Sequence, residues 1–235
     1  MHPTAVALLR SPPHPKLLSF DVFGTLINVR DGSYEAFRSI LTACGAGHVE
    51  VKAFWEHWEQ RNIAHYAEPY RGYRAICELS LAETFADYHV RGSPALIERY
   101  FDAFSGFTLY PDVNPTLDRL SGRFRVALVS NIDDDLLDAT PLGRTFDLRC
   151  TAQGARGYKS DGTLFRYLLE HAGLPKEAIL HAGQSQFTDM VGAKPLGLTV
   201  AWINRRGVDL HRSVPRPDYI LPSVDALLPL LGAGG

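Results

Sequence analysis

Four apolar runs, each bounded by turn residues, constrain this chain more than any other feature. They fall at residues 17–22, 125–130, 178–183 and 198–203. A strand with water on one face alternates apolar and polar residues, whereas an unbroken apolar run suits a strand buried on both faces of a parallel sheet. Helix-spaced patterns separate these runs, at 114–120, 133–142, 160–172 and 189–196, several opening on Ser, Asn or Asp as helix caps do. Strict alternation of strand and helix predicts an α/β fold with a doubly wound, Rossmann-like parallel sheet.

Residues 32–106 break the alternation. They are rich in helix-spaced apolar and aromatic residues, show no strand pattern, and are punctuated at Pro69, Gly92 and Pro94. This reads as a helical cap inserted after the first strand, with the core formed by 15–31 and 107–231. Ligands of open α/β sheets bind beyond the carboxyl ends of the strands, so such an insertion would overhang the site. Residues 1–14 read as a loose tail, too short in apolar sequence for a signal peptide or a membrane span. The closing residues 232–235 are expected to be disordered.

A hydrophobic share of 46% supports a packed soluble protein, and a net charge of -2 with scattered Lys and Arg gives no footprint for nucleic acid. Cys44, Cys77 and Cys150 form no CxxC pair, which suits a reducing compartment and predicts a cytoplasmic protein.

Polar groups follow the apolar runs: Asp21 after the first, Ser130 and Asn131 at the second, Lys159 before a helix, and Asp189 after the third. Strand ends carry such residues to cap helices, a reading that Ser130 and Asn131 alone would satisfy. An unpaired buried carboxylate is costly, so Asp21 at the end of "LLSFD" has few structural reasons to be there. Gly24 permits a tight turn beside it, and Thr25 either bonds Asp21 or a substrate oxygen or caps the turn.

In this order the residues resemble the haloacid dehalogenase superfamily, with likeness from Leu17 to Leu231. "DVFGT" is similar to its first motif with a nucleophilic aspartate, "SN" at Ser130 and Asn131 to the second, Lys159 to the third-motif lysine, and Asp189 to the acid of the fourth. "LGLTVAWINRR" resembles the L-2-haloacid dehalogenase branch. The resemblance implies a small-molecule substrate, no required cofactor, no membrane partner, and a homodimer as one option. It also shows departures. Gln184 and Gln186 stand in "GQSQFTD" where the branch resembles SSNxWD. Glu59 follows Trp58 where an arginine would cradle halide, leaving Arg61 as the nearby candidate. Ser160 replaces a proline after the lysine.

Phosphatases of the superfamily resemble DxDxT, the second aspartate protonating the departing alkoxide. Here Phe23 holds that position and transfers no proton, yet halide is so weak a base that it leaves unprotonated. The expectation is hydrolytic dehalogenation of a small 2-haloacid. Asp21 attacks carbon and water cleaves the resulting ester, with Asp189 orienting or deprotonating that water and Lys159 holding Asp21 ionised. Ser130 would hold the substrate carboxylate and Asn131 the halide, with Phe23, Ser185, Gln186 and Arg61 as further substrate contacts. One alternative is a Mg2+-dependent phosphatase with the ion on Asp21, the Phe23 carbonyl and Asp189; another is a non-catalytic ligand-binding protein. Phe54, Trp55, Trp58, Tyr66, Tyr70 and Tyr73 suit either a substrate slot or helix packing. "IDDDLLD" reads as solvated acids at a helix start, not as a metal site. The histidines show no ligand spacing, and no GxSxG elbow is present.

Overall fold

The computed structural model describes residues 14–233. A six-stranded sheet forms from β1 Leu17–Phe20, β4 Arg125–Ser130, β5 Leu148–Thr151, β6 Ile179–Gly183, β7 Thr199–Ile203 and β8 Tyr219–Leu221. All its neighbours pair parallel, in the order β5-β4-β1-β6-β7-β8. A second, antiparallel pair joins β2 Ile27–Asn28 to β3 Thr108–Leu109. The four strands expected from apolar runs are all present. Every residue of β1 and β6 is buried, as their unbroken hydrophobicity requires. The three-residue β8 and the half-polar β5, an edge strand, carry too little pattern to be read in advance.

Chain order turns back at β1, which pairs with β4 on one side and β6 on the other. That reversal opens a crevice beyond the carboxyl end of β1. The register brings Phe20 opposite both Leu128 and Ala182, so Asp21, Ser130 and Gln184 emerge at one mouth.

Between β2 and β3 the chain is wholly helical. Helices α1 Val29–Ala43, α2 Val51–Ala64 and α3 Tyr73–Asp87 are followed by the short Glu98–Asp102. The first of these helices begins at Val29. Glu50 caps α2 by accepting from the Lys52 and Ala53 N–H groups at 2.9 and 2.7 Å. Phe37, Trp58 and Tyr100 interlock inside it, with ring centroids 4.8–5.6 Å apart. The acids of "IDDDLLD" have structural partners. Asp133 accepts from the N–H groups of Tyr73 and Arg74 at 3.0 Å each, capping α3 from across the seam, while Asp135 pairs with Arg74.

Several boundaries differ from expectation. The helix expected from Ser160 begins at Thr163, because Asp161 rather than Ser160 accepts the Thr163 N–H at 2.8 Å. The helix expected over 133–142 is confined to Asp134–Asp138. Helical structure after β6 begins as a π-turn, Gln186–Met190. Gly232 and Ala233, expected in a disordered tail, accept hydrogen bonds from Arg123 and Arg119, and Ala233 is buried. The rest of that tail and residues 1–13 lie outside the described residues.

One glycine ties this framework to the crevice. A Cβ on Gly192 would stand 1.8 Å from the Lys159 carbonyl oxygen, so the segment after Asp189 meets the Lys159 loop backbone to backbone. Gly192→Ala is expected to destabilise the fold by at least about 2 kcal/mol in urea unfolding, because backbone cannot yield as a side chain can. A change below about 0.5 kcal/mol would contradict that packing.

Candidate active site

Asp21 stands one residue beyond β1, its N–H still in the ladder and donating to the Ala182 carbonyl at 3.0 Å. Gly24 adopts a left-handed φ of +86°, and a Cβ there would lie 2.6 Å from Gln184 Oε1. Glycine takes this φ without strain, which is what lets the loop turn here. The turn delivers Thr25 back to Asp21: its hydroxyl donates to Asp21 Oδ2 at 2.6 Å and accepts from the Gln184 N–H at 2.9 Å. Thr25 is wholly buried, so it orients Asp21 rather than meeting a ligand.

Lys159 is 1% exposed and lies between two carboxylates. Its ammonium pairs with Asp21 Oδ1 and, at 2.8 Å, with Asp189 Oδ1. Its backbone N–H donates to Asn131 Oδ1 at 2.9 Å, which fixes the loop and leaves the Asn131 amide hydrogens to the cavity. Asp189 is saturated as well. His181 Nε2 lies 3.1 Å from its Oδ1, and the Ser185 N–H donates to Oδ2 at 2.9 Å. An ionised carboxylate only accepts, so Nε2 carries a hydrogen, and Nδ1 shares a hydrogen bond with Ser19 Oγ at 3.0 Å.

These contacts separate the two acids. Burial opposes the charge on Asp189, but Lys159 and the His181 hydrogen bond outweigh it and hold the carboxyl well below the usual range. At Asp21 burial prevails over the attraction of Lys159, and repulsion from Asp189 adds to it, so the carboxyl is raised. Burial likewise opposes the ammonium of Lys159, but both carboxylates raise it above its ordinary value.

A cavity of about 470 Å³ opens above Asp21, between the strand ends and α2. It brings together most residues expected at the site: Asp21, Phe23, Ser130, Asn131, Lys159, Ser185 and Gln186 line it. Asp189 does not. It is fully buried behind Lys159 and meets its ammonium. Gln186 spends both ends of its amide on the neighbouring loop, donating to Asp209 O and accepting from the His211 N–H. Arg61 points elsewhere and pairs with Asp87 at 2.6 Å. It shares that acid with His57, one turn away on the side of α2 turned from the cavity. Trp55, Trp58, Tyr66 and Tyr73 both pack and line the cavity, whereas Phe54 and Tyr70 do not line it.

The donors suit a divalent cation poorly. Lys159 already joins Asp21 to Asp189, both Asp189 oxygens accept N–H groups, and Gln184 and Ser185 bring no further acid to the mouth. Among the described residues no group of three or more His, Cys, Asp and Glu side chains is arranged to hold a metal.

Comparison with known proteins agrees with this geometry. The model of the haloacid dehalogenase-like hydrolases matches residues 15–197. The chain belongs to that family. Among curated relatives of this hydrolase, (S)-2-haloacid dehalogenase 4A of Burkholderia cepacia is 25% identical over 223 residues, 90% of this chain and 93% of the relative. Haloacid dehalogenase-like hydrolase domain-containing protein 3 of Danio rerio is 29% identical over 62% of this chain and 64% of the relative. The fold is that of L-2-haloacid dehalogenase from Xanthobacter autotrophicus, solved with chloropropionic acid covalently bound. The TM-score is 0.79 at 20% identity, covering 93% of this chain and 98% of that one.

Two groups in this hydrolase escaped the sequence reading. His181 sits inside an apolar run whose strand pattern conceals it, and its only signal is a titratable residue among buried neighbours. Arg30 and Glu56 line the cavity from the helical stretch and carry no motif, while Glu59 and Arg206, noted in the sequence only within family-like stretches, line it with them.

The raised Asp21 carboxyl gives a signed prediction. A carboxyl whose folded pKa exceeds its unfolded value costs stability at any pH above the unfolded value; below it, both states are protonated and the cost vanishes. Asp21→Asn is therefore expected to raise Tm at pH 7 and to leave it unchanged near pH 3, below the ordinary value of 3.8. A lower Tm at pH 7 would contradict the assignment.

Proposed function

We propose that this hydrolase removes halide from a small 2-haloacid through an ester on Asp21, with the helical insertion acting as its cap. The observation that carries the reading is the oriented Asp21 carboxylate on the cavity floor, beside Phe23 in place of a proton donor. Thr25 and Lys159 fix both of its oxygens, so one lone-pair direction is offered to the cavity while the charge is balanced by an ammonium.

In the first half-reaction an Asp21 oxygen bonds to the substrate's α-carbon as the carbon–halogen bond breaks and its electron pair leaves with the halide. Ser130 faces the substrate carboxylate, and the free Asn131 amide hydrogens face the departing halide. No proton is needed, which Phe23 accommodates. In the second, water adds to the Asp21 carbonyl, with Lys159 beside the developing oxyanion; the bond between the Asp21 carbonyl carbon and the ester oxygen then breaks, the Asp21 carboxylate is restored, and of the two water protons one ends on the departing hydroxy-acid oxygen and one is released to solvent. Asp189 acts through Lys159 by holding it protonated. The covalently bound chloropropionic acid of the Xanthobacter enzyme supports an ester of this kind. The three free cysteines, two of them buried, support a cytoplasmic setting.

The test is one turnover of 2-chloropropionate by excess enzyme in ¹⁸O-water. The first hydroxy acid released is expected to be unlabelled, its oxygen coming from Asp21, with the label retained in the protein. Label in that first product would mean direct attack by water and would overturn the ester. Asp21→Asn should abolish halide release, and a chelator should leave the wild type unaffected. The acid limb of kcat/KM should lie above 3.8, since the raised Asp21 must ionise to attack.

A further inference from the structure

Two loops that carry cavity groups reach across to the same stretch of the helical insertion. Tyr158, the residue before Lys159, is 1% exposed, and its hydroxyl donates to the Arg71 carbonyl oxygen at 2.8 Å. Its ring stacks on that of Tyr66, with centroids 4.3 Å apart and planes 11° from parallel. Asp133, two residues after Asn131, accepts from the N–H groups of Tyr73 and Arg74. The two loops also hold each other, through the bond from the Lys159 N–H to Asn131 Oδ1. Residues 71–74 therefore close a triangle whose other corners end in Lys159 and Asn131, and both of these line the cavity.

The start of α3 has no cap of its own. Gly72 stands at the capping position without a side chain, and a first helical turn leaves N–H groups with no intrahelical partner. Asp133 supplies the missing acceptor from 60 residues beyond Tyr73. A hollow of about 400 Å³ lies against the same stretch, lined by Arg71, Gly72, Asp133 and Arg156 among others, so bonds rather than dense packing fix the chain there. Lys159 must reach Asp21 and Asp189 with one ammonium, and a misplacement of about 1 Å can cost on the order of 10²-fold in rate.

We propose that Tyr158 and Asp133 are positioning residues: by gripping residues 71–74 they let the seat of the insertion set the placement of Lys159 and Asn131. Neither lines the cavity, so each acts through its neighbour. The role rests on the reading of Asp21 as the reacting group, and it makes chemistry depend on how the insertion is seated.

Tyr158→Phe keeps the ring and removes only the hydroxyl, while Asp133→Asn removes the charge and one acceptor. Amide hydrogen exchange reads the coupling without chemistry. Tyr158→Phe is expected to speed exchange at Tyr73 and Arg74, and Asp133→Asn at Lys159. Each change should be about tenfold beyond any change at the β1 amides, the scale of one lost hydrogen bond. Halide release from 2-chloropropionate is expected to lose about tenfold in kcat in either variant, with KM altered less than about twofold. Exchange that quickens only on the substituted side of the junction overturns the proposal. So does halide release with unchanged kcat, or a loss carried by KM, which would mark a substrate contact. Cross-junction exchange in a protein that releases no halide overturns dehalogenation alone.

Discussion

A single ammonium group buried between two carboxylates governs this active site. Charges in a low-dielectric interior are unstable unless compensated, and the ammonium left with neither carboxylate would cost several kcal/mol, roughly 3–5. Lys159 therefore fixes where Asp21 and Asp189 must stand, and everything around them completes their hydrogen bonding. Thr25 takes the remaining oxygen of Asp21; His181 and the Ser185 N–H finish Asp189. The same requirement reaches into the scaffold. Ser19 and His181 are register partners on β1 and β6, two polar residues in otherwise apolar strands, and each answers the other. Gly192 brings the segment after Asp189 against the Lys159 loop, so the spacing of the charges is set by backbone contact.

The asymmetry between the acids follows from where they sit. Asp189 receives three donors and remains charged; Asp21, with two, lies at the cavity and is raised. A nucleophile must keep some reactivity, and a carboxylate saturated like Asp189 would be stable but inert. The division places the saturated carboxylate behind and the cavity-facing one in front, with Lys159 shared by both.

The core was legible because burial on both faces writes an unmistakable pattern: β1, β4, β6 and β7 stand where unbroken apolar runs place them. The motif residues were legible because each follows a strand or opens a loop at the same sheet edge. Periodicity alone could not tell which side of α2 faces the cavity. Arg61 lies roughly 200° around the helix from Glu59, and the long-range partner that claims it, Asp87, belongs to another helix. The depth of Asp189 was not legible for a related reason, since sequence order gives none and the residue is one layer behind Lys159.

Phe23 is more than a missing acid. Its ring lies 5.3 Å from that of Phe104, on the segment that returns from the helical insertion to β3, so it joins the nucleophile loop to the roof. A carboxylate at this position would be pressed against an aromatic face with its hydration removed, and would be costly to ionise. The change from acid to phenylalanine and the packing of the insertion are therefore one feature. The proposed halide leaving group needs no proton and so permits an apolar residue there, and that residue in turn forms part of the cavity wall. Under the proposed dehalogenation, less water in such a cavity would strengthen both the attack of Asp21 and the pull of its donors.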